Sequence, residues 1–299
     1  MKRGLTLTAI MLAAALAADE GPLSVPAGGR PENVAAEEEA DDGFAWPDMS
    51  LFVMPDVRTA YISRGKVIED RPVASILARG QVGLGKLGSL GIQSWDLSSL
   101  GNRRTDVHHR AFNETDLGVF WHYDYSFNED WRLSSEAVKY WVMLPGYTLP
   151  YRAKKTDAMI NEWRALQSLE NPYLTPFYLL RRGFHPNDWL YVRAGVRRAF
   201  PLGAGFTLTP QWYAENGNEW HFERRYGRRQ GGGKYHSGMQ ASNFVLELSW
   251  KATNNLSFFV GVHQFDIVSE DARRSVKAHS SPCMRRDLTV GTAGCRIKF

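Results

Sequence analysis

Cysteine is nearly absent: Cys283 and Cys295 are the only two in 299 residues. A disulfide-stapled scaffold and a four-cysteine zinc site are thereby excluded. With residues 291–295 extended at ~3.3 Å per residue, the two sulfurs stand most of a strand apart, so the reading is two free thiols. Long apolar runs are missing too. Past the first twenty residues none approaches the ~20 needed to cross a bilayer as a helix, and mean hydropathy is −0.36. A helical membrane bundle is therefore excluded. The chain also lacks HExxH, a nucleophile elbow and a phosphate-binding glycine loop. Its eight His fit no metal spacing, since His108 and His109 are merely adjacent; no metal and no cofactor are expected. Aromatic rings, in contrast, are abundant. Ten Trp and twelve Tyr call for many boundaries between apolar and wet surroundings.

The first residues read as an export signal. Lys2 and Arg3 precede an apolar stretch at 5–14, and Ala15-Leu16-Ala17 supplies the small residues of a cleavage site, so residues 1–17 are expected to be removed. Residues 18–48 hold nine acids against Arg30 alone, which predicts a disordered acidic periplasmic segment. The whole chain carries +4; without Lys2, Arg3 and the −8 of that segment, residues 49–299 carry about +10. The folded part is distinctly basic.

From Leu51 onward the apolar period is two, as half-buried strands require. Leu117, Val119, Trp121, Tyr123, Tyr125 and Phe127 alternate with Gly118, Phe120, His122, Asp124 and Ser126. Leu190, Val192, Ala194 and Val196 alternate likewise with Tyr191, Arg193, Gly195 and Arg197. The pattern predicts twelve strands, near 51–63, 72–84, 88–98, 115–127, 131–144, 159–169, 173–183, 189–199, 204–215, 238–251, 256–268 and 287–299. Tight turns such as Asn128-Glu129-Asp130 and Thr253-Asn254-Asn255 alternate with polar loops at 64–71, 99–114, 145–158, 184–188, 216–237 and 269–286. An even strand number with short turns at one end and long loops at the other predicts an all-β fold: a twelve-stranded antiparallel transmembrane β-barrel of the outer membrane over 49–299. Trp131, Trp189 and Trp250 are placed in its interface girdles. The terminal Phe299 resembles the signal read by the barrel assembly machinery.

Short motifs add a family resemblance. Tyr61-Ile62-Ser63-Arg64-Gly65 followed by Arg71-Pro72, then Asn113-Glu114-Thr115-Asp116, then Pro145-Gly146-Tyr147, resemble the pattern of the TorF-family porins. The resemblance extends over 51–299 without loop 216–237. It implies an outer-membrane barrel with a transport function and brings no catalytic residues.

If the apolar face meets lipid, the lumen is lined by Arg58, Arg79, His122, Asp124, Arg132, Glu136, Glu162, Arg164, Arg193, Arg197, Glu247 and Lys251, along with Asp56, Gln81, Arg296 and Lys298. So many ionisable groups need water or mutual pairing. A hydrated channel supplies the first; a barrel closed by internal salt bridges supplies the second. Arg79, Arg164, Arg193 and Arg197 could form a basic track for anions. Loop 216–237 interleaves rings with Arg224, Arg225, Arg228 and Arg229 and carries a Gly231-Gly232-Gly233 hinge, which suits lipopolysaccharide phosphates or another anion. Export argues against a nucleic-acid partner.

The function expected is therefore a porin-like channel for passive diffusion of small anionic solutes, with outer-membrane lipid and lipopolysaccharide as surroundings and no catalytic residue. One alternative is a barrel-embedded, phospholipase-like enzyme. It needs a base and a nucleophile on one strand face, whereas His236 and Ser237 are adjacent. Another is a closed structural barrel.

Overall fold

The computed structural model describes residues 48–100, 113–143, 159–184, 188–226, 232–278 and 285–299. The expected signal segment and residues 18–47 of the acidic segment, His108-His109, Pro145-Gly146-Tyr147, Arg228, Arg229 and Cys283 lie outside them. The strands are β1 (Met49–Arg58), β2 (Tyr61–Ser63), β3 (Lys66–Glu69), β4 (Val73–Gly83), β5 (Ser89–Ser99), β6 (Asn113–Ser126), β7 (Arg132–Met143) and β8 (Met159–Glu170). They continue with β9 (Thr175–Gly183), β10 (Leu190–Arg197), β11 (Phe200–Gly203), β12 (Phe206–Gly217), β13 (Gly238–Lys251), β14 (Leu256–Ile267) and β15 (Asp287–Lys298). Among the described residues two α-helices, α1 (Glu219–Tyr226) and α2 (Glu270–Ala278), lie in the long connections.

All strands but β2 and β3 form one antiparallel sheet with neighbours next to each other in sequence. It closes where β1 pairs with β15, Phe52 opposite Lys298 and Arg58 opposite Thr292, and where β10 pairs with β12. β10 and β11 are one barrel strand interrupted at Arg198-Ala199, since both pair with β12. The break precedes Pro201, which has no N–H for the ladder. The result is a closed barrel of twelve strands, as the alternation predicts.

Asx and ST turns shape several tight connections. Asn128 Oδ1 accepts the N–H groups of Asp130 and Trp131 at 3.0 and 2.9 Å. Asn171 does the same for Tyr173 and Leu174, and Thr253 Oγ1 for Asn255 and Leu256. The first and last barrel strands meet at this same rim, where Phe299 N–H donates to Leu51 O at 2.8 Å.

Period two sorts the two faces. Ile92, Val119, Leu246, Val260 and Val262 are exposed on the outer wall, Val260 at 54%, while the intervening Phe120, Val245 and Phe259 are buried inside. Phe206, Trp250 and Phe258 stack across β12, β13 and β14 with centroids 6.0 Å apart in each pair. Together with exposed Trp131 and Phe127 they ring the short-turn rim. Trp189 does not join such a girdle: it is 1% exposed. It has the parity of Tyr191 and Arg193, and Gly183 makes room for it, because a Cβ there would stand 2.0 Å from its Nε1.

Three long connections differ from open polar loops. The predicted first strand, 51–63, stops at Arg58, and residues 61–69 form a separate hairpin, β2–β3, that is largely buried. Loop 216–237 contains α1, and loop 269–286 contains α2. Each helix starts on a capping side chain: Asn218 Oδ1 accepts His221 N–H at 2.9 Å, and Ser269 Oγ accepts Ala272 N–H at 3.4 Å. Ile62 and Val67 of the hairpin, Phe222 and Tyr226 of α1, and Ala272 and Val276 of α2 share one buried cluster with the wall residues Ala241, Phe265 and Val290. The described part of the ring-bearing polar loop 216–237 thus contributes Phe222, Tyr226 and Tyr235 to a core. Phe222 and Tyr226 fall at i and i+4, one helix face, and bury there.

Candidate functional site

The lumen is built from the inward residues of each strand, and its charges are paired in layers. In the middle, Glu136 of β7 accepts from Arg79 of β4 at 2.5 Å and from Arg164 of β8 at 3.0 Å. Arg164 also donates to Tyr140 Oη at 3.1 Å, and Arg79 lies 3.8 Å over the Phe120 ring. Beside this layer Arg58 binds Asp56 through two bonds of 2.8 and 2.9 Å, with Ser75 Oγ on the same carboxylate. Toward the long loops Arg193 reaches Glu215 at 3.2 Å and Arg181 reaches Glu162 at 3.1 Å. Every one of these side chains is nine-tenths buried or more. A dry charge that loses its partner costs several kcal/mol, so these layers are rigid cross-braces.

The hairpin closes the long-loop end of this interior. Arg64, with φ +49°, and Gly65, with φ +75°, form its tip. From there the Arg64 guanidinium reaches Glu162 at 2.8 Å and lies 5.0 Å over the Trp189 ring. Gln240 Nε2 donates to Arg64 O at 2.6 Å, Arg225 Nη2 donates to Ser63 Oγ at 3.1 Å, and Tyr226 Oη donates to Gly65 O. Of the loop arginines expected to meet external anions, Arg225 therefore points at the hairpin. Arg224 lies on α1 with its side chain outside the described residues. His221, buried on α1 itself, is held well below the ordinary imidazole value by burial, then by the Arg225 and Arg64 charges.

Beneath the plug lies a cavity of about 20 Å³ bordered by Arg58, Gln211, Tyr213, Glu247 and His263, roughly the room of one water. Next to it His263 Nε2 stands 2.7 Å from Asn243 Oδ1 and 3.3 Å from Tyr213 Oη. The short-turn end is different. There a cavity of about 470 Å³ is lined by Arg132, Arg197, Arg198 and Arg296 against Glu170 and Glu247. Arg296 meets Glu247 at 2.7 Å. Glu170 serves Arg132 and, at 3.7 Å, Arg197. Asp124 lies 3.3 Å from His122 and 3.9 Å from Arg132. Lys251 stands exposed beside this rim.

The expected lumen residues on β1 to β14 thus face inward, except Lys251 at the rim, and the four arginines of the expected basic track each have a carboxylate. Arg181, Glu215, Glu170 and Tyr140 belong to the same layers. Their signal was available in the sequence, since Arg181 shares parity with Phe177 and Leu179, and Glu215 with Gln211 and Tyr213. No strand periodicity announces Arg64, which arrives from a loop. His236 and Ser237 are exposed and precede β13. Cys295 is a free thiol. Among the described residues no group of three or more potential ligands could hold a metal.

A closed barrel with an apolar, ring-rimmed outer wall and a charged interior carries the surface of an outer-membrane protein. No family model matches the chain, and no curated protein does. Solved structures similar to it include a KdgM porin, at 12% identity and TM-score 0.44, covering 84% of this chain and 99% of that one. A NanC porin shows 9% identity and TM-score 0.47 over 83% and 100%. An outer-membrane channel from Pseudomonas putida F1 shows 10% identity and TM-score 0.47 over 88% and 100%, and LpxR from Salmonella typhimurium 9% and 0.44 over 82% and 99%. The TorF-family resemblance rests on its motifs alone, and Tyr61–Ser63 with Arg64-Gly65, the clearest of them, forms the plugging hairpin.

Proposed function

We propose that the chain is a porin-like channel of the outer membrane for small solutes, with an anion bias set at the short-turn mouth. The observation that carries this reading is the 470 Å³ mouth, where four arginines face two glutamates. Deeper in, Arg58, Arg79, Arg164, Arg181 and Arg193 are each held by a buried carboxylate, so the wet mouth is where a passing anion can be held. Passage requires the hairpin and the two helices to move, which makes the resting channel nearly silent and its opening a discrete event.

Planar bilayers under a salt gradient test this. The full chain should show rare steps with an anion-favouring reversal potential, and replacing residues 60–70 by a short Gly-Ser link should make them frequent. Silence in both forms sinks the channel. It would favour the closed structural barrel, a reading supported by the buried ion pairs and the apolar plug. A lipid-modifying activity would instead appear as fatty-acid release from phospholipid micelles that disappears in Ser237→Ala.

A further inference from the structure

We infer that the cavity at the short-turn mouth is a binding site for a compact polycarboxylate. The inference deepens the channel reading and rests on it for biological sense, but the site itself stands on the geometry of the mouth. Its volume, about 470 Å³, is that of a small-molecule pocket, typically ~300–1,000 Å³. Its lining has a formal excess of two positive charges, from Arg132, Arg197, Arg198 and Arg296 against Glu170 and Glu247. The guanidinium fork matches a carboxylate through two parallel bonds.

The ion pairs at this mouth are already arranged around a carboxylate. Glu170 stands between two arginines, within bonding distance of Arg132 and at a loose 3.7 Å from Arg197. Both arginine side chains are partly wet, 28% and 15% exposed, as is Glu170 at 22%. A ligand carboxylate can therefore take over Arg197 without stripping a dry charge of its partner. Such an exchange is prohibitive at the buried Arg181–Glu162 pair. Arg198 also borders the cavity; it is exposed with its guanidinium 4.9 Å over the Phe200 ring, and it turns from that ring to meet a second ligand carboxylate. Asn171, Thr175, Thr207, Thr209 and Ser249 are among the residues that line the remainder, and polar side chains of this kind complement the oxygens of the ligand. The plug above and the small cavity beneath it leave the short-turn side as the way in.

The same chemistry has two sources. One is a free solute. The other is the acidic run Glu37, Glu38, Glu39, Asp41 and Asp42, which joins the barrel through Asp48 at this same rim, where Gly83 N–H donates to Asp48 O at 2.7 Å.

Isothermal calorimetry of the detergent-solubilised full chain with citrate tests the inference, and needs no conduction, so its failure is distinct from failure of the channel. Citrate should bind, and Arg197→Glu with Arg198→Glu should weaken it at least about tenfold. The milder Arg197→Gln with Arg198→Gln is run beside it, each checked for the folded gel mobility. The charge control Arg182→Glu, at the opposite end, should bind as the parent does. Inorganic phosphate, a single centre bridging fewer forks, should bind about tenfold more weakly. A chain with the five acids changed to their amides identifies the source: tighter citrate binding means that the acidic run occupies the site, and equal binding means that a free solute does. No citrate binding in either background, equal affinity for phosphate, or binding indifferent to both arginine doubles in folded protein would overturn the inference.

Discussion

The Arg181 and Glu162 side chains near the long-loop end are 2% and 1% exposed, whereas those of Arg132 and Glu170 at the short-turn end are 28% and 22% exposed. Both are arginine–glutamate pairs between neighbouring strands, yet their surroundings make them different devices. The dry pair sits under a plug of rings and aliphatic side chains and cannot open without exposing a bare charge. The wet pair borders a cavity and exchanges partners at little cost. Ion pairs of one composition thus act as a brace at one end of a barrel and as a ligand cradle at the other.

The dry end depends most on Glu162, which holds both Arg64 and Arg181. Glu162→Gln leaves two buried guanidinium groups short of a partner and should cost about 3–5 kcal/mol, read by urea unfolding in lipid vesicles. It should also raise the frequency of conductance steps, because Arg64 tethers the plug. Unchanged stability would mean that other acceptors hold these arginines. On the outer wall Val260→Arg should cost about 2–4 kcal/mol if Val260 meets lipid near the midplane; a normal unfolding midpoint would reverse the inside and outside faces.

His221 supplies a pH test of the long-loop end alone. Its folded pKa lies well below 6.5, its ordinary value, so the unfolded chain takes up the proton first as pH falls. Stability is full above about pH 6.5 and declines below it, by at most about 1.4 kcal/mol per pH unit. The cations facing the ring are Arg64 and Arg225, and the rings are Tyr191 at 5.2 Å and Trp189 at 5.9 Å; none of them relieves a protonated imidazole fully. Plug opening should therefore increase between pH 7 and 5, and His221→Gln should flatten that part of the profile. A smaller effect separates two glycines. Gly85→Ala, φ +59° with open space around it at the short-turn end, should cost about 1 kcal/mol. Gly65→Ala should cost more, since its Cβ would overlap the Gln240 amide that holds Arg64 O. Equal costs in denaturant would show that Gln240 yields freely.

Twelve strands were legible because a strand with one face in lipid and one in a charged lumen must alternate, and Leu117 to Phe127 or Leu190 to Arg197 keep an apolar outer face throughout, with Phe120 and Tyr191 as rings on the inner one. The same rule places Trp189 inside with Tyr191 and Arg193. Reading it as a girdle residue followed its chemistry instead of its parity. The helices were legible in part: Asn218 and Ser269 are capping residues, and Phe222 with Tyr226, or Ala272 with Val276, lie one turn apart. What hid them was the surrounding polarity, with Glu223 and Arg225 beside the rings.

By itself the sequence determined the strand count, the inner and outer faces, the alternation of tight and long connections and the basic balance of residues 49–299. These follow from local periods and composition, which need no knowledge of what lies across the barrel. Only the tertiary structure decided which way the long connections fold and which carboxylate each arginine meets. Arg64 finds Glu162 from a hairpin outside the sheet, and Arg79 finds Glu136 across two intervening strands. Such pairings depend on register and barrel closure, and both are set by the whole ring of strands at once.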